Sequence, residues 1–151
     1  MVWGCISWNG TGRLHLIEGH RDAAQYCHIL DSSFISSLKD QNCNPRKVIF
    51  QQDNNPKHTL KMATQWFLDH KIRVLPWLPS SPDQSIIEHV WDALDRQLHA
   101  CTLRPHNVHE LWEVLKEEWE KLELWYIRKL YNSIPAHILA LTLVGGLYTH
   151  Y

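Results

Sequence analysis

Strand-forming residues fill Val2-Trp3-Gly4-Cys5-Ile6-Ser7-Trp8, and apolar and polar positions alternate over Leu14-His15-Leu16-Ile17-Glu18, with Asn9-Gly10-Thr11-Gly12 between them. A two-residue period on either side of a glycine-rich turn predicts a β-hairpin. The period then lengthens: Ala23, Tyr26, Cys27, Leu30 and Phe34 recur at steps of three and four behind Asp22. That spacing predicts a helix with Asp22 as its cap and residues 41–45 as the following loop. Lys47-Val48-Ile49-Phe50-Gln51-Gln52-Asp53, bounded by Pro45 and Pro56, runs from apolar residues into a polar turn. It reads as a short buried strand with Asp53 at its carboxyl end. Met62, Ala63, Trp66 and Phe67 mark one helical face from Thr59 onward, and Ile72-Arg73-Val74-Leu75-Pro76-Trp77 resumes as a strand stopped by prolines. Strand, helix and strand in that order predict a parallel crossover.

Pro76, Pro79 and Pro82, with Ser80 and Ser81, make a stiff, extended connection. Ile87, Val90, Trp91, Leu94 and Leu98 then define an amphipathic helix with Glu88 in its first turn. A second stripe, Val108, Leu111, Trp112, Leu115, Trp119 and Leu122, has Glu117, Glu118, Glu120 and Lys121 on its other side. Ile127, Leu130 and Tyr131 continue a helical pattern to Ser133-Ile134-Pro135, where Ser133 is expected to cap a last short helix before Gly145-Gly146. The fold class is therefore α/β with a helical carboxyl-terminal segment.

At 151 residues, 44% hydrophobic and 21% charged, the chain has the size and composition of one globular domain, which excludes disordered and collagenous classes. Trp66, Trp91, Trp112 and Trp119 fall on the apolar stripes, so they are assigned to packing rather than base stacking. Fifteen Lys and Arg against 16 Asp and Glu, a net charge of -1, supply no field that would bind nucleic acid by itself. Cys5, Cys27, Cys43 and Cys101 form no C-x-x-C pair, and His99, His106 and His109 add no standard zinc spacing. A reducing compartment fits best. The amino terminus lacks the features of a signal peptide, and the longest apolar stretch falls short of the ~20 residues of a membrane span. The expectation is a soluble protein with no membrane partner.

The candidate chemistry lies with Asp53, at a strand end, and Glu88, on the helix after the next strand. Groups beyond the carboxyl ends of strands line the usual site of open α/β sheets, and carboxylate oxygens suit hard divalent cations. A second reading of the same residues stands beside this one. Asp53 is also a good turn residue in Asp53-Asn54-Asn55-Pro56, and Ser85 with Glu88 has the Ser-x-x-Glu spacing of a capping box.

An ordered set of motifs changes the balance. Val48-Ile49-Phe50-Gln51-Gln52-Asp53-Asn54-Asn55-Pro56-Lys57-His58-Thr59, Val74-Leu75-Pro76-Trp77, Ser80-Ser81-Pro82-Asp83 and Ile87-Glu88-His89-Val90-Trp91 together resemble the catalytic domain of Tc/mariner-type DDE transposases. The likeness extends to the Trp3-Gly4 strand, the Gly19 turn, Tyr26, Leu30 and the tail from Ser133 to Tyr148. It implies a ribonuclease-H-like mixed sheet with flanking helices, in which three acids hold two Mg²⁺ or Mn²⁺ ions for DNA cleavage and strand transfer. Asp53 matches the second acid and Glu88 the third, as catalytic residues and metal ligands; Lys57 and His58 match the turn after the second acid, where they are candidate DNA contacts. The implied partners are transposon ends and target DNA, with a homo-oligomer as an open option, and the implied location is the nucleus.

The first acid of that family belongs on a strand ahead of the Trp3-Gly4 strand, and no residue of the sequence matches it by position. The expectation is thus a core over 1–101 that lacks the first strand, a helical segment over 102–151 packed on it, and little or no catalysis. The alternative is a non-catalytic remnant or interaction module that folds on a partner supplying the missing strand. Gln84-Ser85-Ile86 also departs from the family's usual Leu-Asn-Pro ahead of Ile-Glu, which leaves Ser85 as the helix cap.

Overall fold

The computed structural model describes residues 1–19, 22–52, 60–76, 85–101 and 105–143, with the side chains of 60 and 140–143 excepted. Asp53, Lys57, His58, Trp77, Pro79 and Pro82 lie outside the described residues. The chain divides into two compact units: 1–5 with 12–81, and 6–11 with 82–151.

In the first unit, β1 (Val2–Trp3) pairs antiparallel with β4 (His15–Leu16). The expected hairpin is present, and the Gly12 N–H donates to the Cys5 carbonyl at 2.7 Å. Its tip, β2 (Ile6–Ser7) and β3 (Gly10–Thr11), belongs to the second unit, where Ser7 pairs with Gly10. Gly10 sits at φ +123°, a backbone conformation L side chains rarely adopt, so the turn there needs glycine.

Asp22 caps the first helix as expected, its carboxylate accepting the Gln25 N–H at 2.8 Å. The helical run comprises α1 (Ala23–Ile29), a π-helical stretch (Leu30–Phe34) and α2 (Ile35–Asp40). Its buried residues Tyr26, Leu30, Phe34 and Leu38 keep a strict spacing of four. In a regular α-helix each such step drifts about 40° around the axis. The wider i→i+5 turns of the π stretch absorb that drift and return Phe34 and Leu38 to the core face. Sequence periodicity found Tyr26, Leu30 and Phe34 but not this change of helix type.

A short 3₁₀ turn, Pro45–Lys47, leads into β5 (Ile49–Phe50), followed by α3 (Leu60–Asp69) and β6 (Arg73–Val74). β5 and β6 are parallel, which bears out the crossover, and the Leu75 N–H extends the pairing to the Phe50 carbonyl at 2.8 Å. Phe50 packs with Phe34 and Phe67 at ring-centroid distances of 4.7 and 5.0 Å. Ala63, Trp66, Phe67 and Ile72 complete the core. Met62, expected on the buried face of α3, is 53% exposed. The reason is angular: Ala63, Trp66 and Phe67 already fill the arc facing the core, and Met62 falls at its edge.

In the second unit, α4 (Ile86–Ala100), α5 (Val108–Glu120) and α6 (Leu124–Leu143) follow one another. Ile86, Val90, Leu94, Trp119 and Ile127 are buried. α4 turns Ile86 inward rather than Ile87, because Ile86, Val90 and Leu94 share one face at four-residue steps. Val108 and Leu111, expected on the packing stripe of α5, are exposed. α5 is instead fastened by an unforeseen cap, in which the Asn107 carboxamide oxygen accepts the Glu110 N–H at 2.9 Å. Glu110 in return accepts from the His106 N–H and the Asn107 side chain, both at 2.8 Å, and these bonds hold its carboxyl below the usual range.

The break expected at Ser133-Ile134-Pro135 does not occur, and α6 runs through Pro135. Proline removes one helix bond and crowds the preceding turn, but Leu130, Ala136 and Leu139 are good helix formers on both sides. The Ser133 hydroxyl donates back to the Leu130 carbonyl at 2.7 Å instead of capping a new helix.

Among the described residues the ladders form three separate two-stranded sheets, and no described helix is long and apolar enough to cross a membrane.

Candidate metal and nucleic-acid site

Glu88 stands in the first turn of α4, and its side chain is exposed. A carboxylate near a helix amino terminus is favoured by the helix dipole. Ser85 occupies the cap position, but its side chain makes no capping bond; the Glu88 N–H donates instead to the Ser85 carbonyl at 3.0 Å. The hydroxyl half of the expected capping box is therefore not formed. Asp92 and Asp95 lie four and seven residues further along the same exposed face, with Arg96 one turn beyond Asp92. The sequence reading passed over these two because they belong to no motif.

α4 is held by contacts within its own unit. Trp91 stacks on Trp119 at 5.2 Å with 22° between the ring planes. The Tyr126 hydroxyl donates to the His89 carbonyl at 3.0 Å, and burial raises the phenol's pKa. Ile127 is fully buried in the same unit. These contacts bear out the assignment of Trp91 and Trp119 to packing.

In the first unit, β5 delivers the chain towards Asp53. Gln52, the last residue described before Asp53, accepts a hydrogen bond on its carboxamide oxygen from the Tyr26 hydroxyl at 2.5 Å. Asp53, Lys57 and His58 follow outside the described residues, so their placement is not part of this geometry. Lys61 and Arg73, basic residues of the same unit, are exposed. Trp66 is a packing residue here too: it is buried, and its indole N–H donates to the Asp31 carboxylate at 2.9 Å. Among the described residues no group of three or more His, Cys, Asp or Glu side chains is placed to hold a metal ion. The four cysteines are free thiols.

Comparison with known proteins shows what the chain resembles. The Tc1 transposase of Caenorhabditis elegans is 34% identical over all 151 residues, and the Tcb1 transposase of Caenorhabditis briggsae is 33% identical over the same span. Over its whole length the chain is similar to the Tc1-type transposases. It spans 54% of the length of either relative. No family model matches it.

Solved structures show the fold. The Mos1 transposase catalytic domain, determined with raltegravir and Mn, matches with a TM-score of 0.86 at 19% identity, covering 99% of this chain and 76% of that one. The same domain determined with Mg gives 0.84 at 18% identity, again over 99% and 76%. The Mos1 mariner paired-end complex with Mn gives 0.87 at 19% identity, over 99% of this chain and 44% of that one. The architecture is a mixed α/β fold like the Mos1 catalytic domain, as the motifs implied.

Proposed function

We propose that the chain is a transposase-derived DNA endonuclease domain of ribonuclease-H-like type, whose ancestral reaction is metal-dependent cleavage of transposon DNA and joining of the freed end to target DNA. The observation that carries this reading is the homology to Tc1 over the entire 151 residues, together with the placement of Glu88 at the exposed start of a well-supported helix. Asp53 and Glu88 are the residues that would hold Mg²⁺ or Mn²⁺, and their carboxylate oxygens suit hard divalent cations. When bound, a pair of such ions activates the attacking water or hydroxyl and stabilises the leaving oxygen. Lys57 and His58 would meet the DNA backbone beside Asp53. Transposon ends and target DNA are the partners, with a homo-oligomer as the assembled state and the nucleus as the place of action.

No residue of the 151 takes the position of the first acid, so the chain carries two of the three carboxylates and has little or no activity alone. We assign residues 1–101 to the acid-bearing core and the helical segment 102–151 to support of the Glu88 helix. Plasmid nicking with Mg²⁺ or Mn²⁺ tests this, comparing the chain with the same chain fused to the Tc1 segment that bears that enzyme's first acid. The expected result is nicking by the fusion only, abolished by Asp53→Asn. Nicking by the unfused chain would contradict the proposed inactivity. Silence of both would favour a non-catalytic remnant.

A further inference from the structure

We propose that the exposed face of α6 around Trp125, Arg128 and Lys129, together with Trp8 at the hairpin tip, is a contact surface for an unpaired DNA strand; the choice of DNA as occupant rests on the function proposed above. Charge is segregated among the three helices of the second unit. α4 carries Glu88, Asp92 and Asp95 against Arg96, and α5 carries five glutamates against Lys116. α6 runs for 20 residues with Arg128 and Lys129 and no Asp or Glu. Lys116 and Lys121 are already engaged by Glu113 and Glu118, at 2.8 and 2.7 Å. Arg128 and Lys129 are exposed and have no acid on their own helix to pair with. In a chain whose acids outnumber its bases, this face is where a phosphate would meet positive charge.

The same face carries exposed aromatic rings. Trp125 is 61% exposed and stands three residues before Arg128 and four before Lys129, so the three share one surface of the helix. Its indole N–H donates to the Glu123 carboxylate, which holds the edge of the ring. Trp8 is 46% exposed, yet its place is fixed. The Arg128 guanidinium lies 5.4 Å from the Trp8 ring centroid, the Arg128 Nε–H donates to the Trp8 carbonyl at 3.4 Å, and Tyr131 meets the Trp8 ring edge-on at 6.0 Å. The Tyr131 hydroxyl donates in turn to the Ile6 carbonyl at 3.1 Å, which ties the hairpin tip to α6. A single exposed ring on a surface is ordinary; two rings set around two cations are a platform. Proteins hold single-stranded nucleic acid with this combination, the rings stacking on bases and the cations meeting phosphates. A duplex keeps its base faces inside its own stack and would use the cations alone, so the open rings select the unpaired strand.

The test uses the full 151-residue chain and a short fluorescein-labelled DNA strand of mixed sequence. Affinity is read by fluorescence anisotropy over a range of salt, with the matching duplex as comparison and thermal melting as the control on folding. The parent chain is expected to bind the strand more tightly than the duplex. Loss of one stacked base predicts about fivefold to hundredfold weaker strand binding for Trp125→Ala, with recovery in Trp125→Tyr, which keeps an aromatic face. Because Trp125 is mostly exposed, Trp125→Ala should leave melting unchanged. Arg128→Gln and Lys129→Gln should each lower the slope of log affinity against log salt by about 0.7, the share of one phosphate contact on a single strand. Parent-like strand affinity in Trp125→Ala, or a duplex bound as tightly as the strand, would overturn the inference. So would a dimer in sedimentation velocity that Trp125→Ala dissociates while strand binding stays unchanged, because the face would then be a contact between copies of the chain. Failure of the DNA-cleavage reading shows separately, as a fusion that binds the strand as expected yet never nicks plasmid.

Discussion

Asp53 and Glu88 differ in how cleanly substitution reports on them. Glu88 sits in the first turn of α4, so Glu88→Gln changes the helix dipole interaction as well as any metal ligation, and a stability change alone would not distinguish the two. Cys5 makes a separate prediction at this scale. Enclosed against Gly12 and Ser37, its thiol loses hydration and is pushed up to about 11, an effect only partly offset by its hydrogen bond with Ser37. Because the folded value lies above the unfolded one, the stabilisation is complete below the unfolded pKa of about 8.5. It is lost as the pH rises from there through about 11. Urea unfolding should show level stability from about pH 7.5 to about pH 8.5 and a decline above it, and Cys5→Ala should flatten the first part of that decline. Tyr126, also raised by burial, adds to the loss above about pH 10. At pH 8, thiol-reactive reagents should modify Cys5 last among the four cysteines of the native chain.

At the scale of elements, two contacts have measurable worth. The hairpin passes so close to α2 that a Cβ on Gly12 would meet Ser37 Oγ at 2.7 Å and collide with the Cys5 sulfur. Ser37 cannot easily yield, since its hydroxyl accepts the Arg13 N–H at 2.8 Å and donates to the Ser33 carbonyl at 2.6 Å. Gly12→Ala should therefore cost about 1–3 kcal/mol through overpacking, read from denaturant unfolding. Ile127, fully buried in the helical unit with Trp119 and Val90, predicts a loss of about 2–5 kcal/mol on Ile127→Ala, by the same measurement. Secondary structure was legible where the signal was local. The Asp22 cap, the hairpin turn and the β5–α3–β6 crossover all follow from side chains and spacings within a few residues. Pro135 and Met62 misled because a helix passing through proline, or a face filled by other residues, is settled by neighbours.

For the whole molecule, the near balance of 15 basic and 16 acidic side chains governs its behaviour towards DNA. With so little net field, the chain alone should bind duplex DNA more weakly than ~10⁻⁶ M at physiological salt, measured by fluorescence anisotropy, and the affinity should fall further with added salt. Micromolar or tighter binding would show that local basic residues such as Lys57, Lys61 and Arg73 suffice. By itself the sequence determined the α/β class, the order of the main elements and the likeness to transposases, and it nominated the two candidate acids, because periodicity, capping and motif order are properties of the chain read along its length. The tertiary structure decided which apolar residues are buried, that a π-helical stretch keeps Tyr26, Leu30, Phe34 and Leu38 on one face, and that Tyr26 reaches Gln52. These depend on packing between segments far apart in sequence, where close contact selects one arrangement from several that local preference leaves nearly equal in energy.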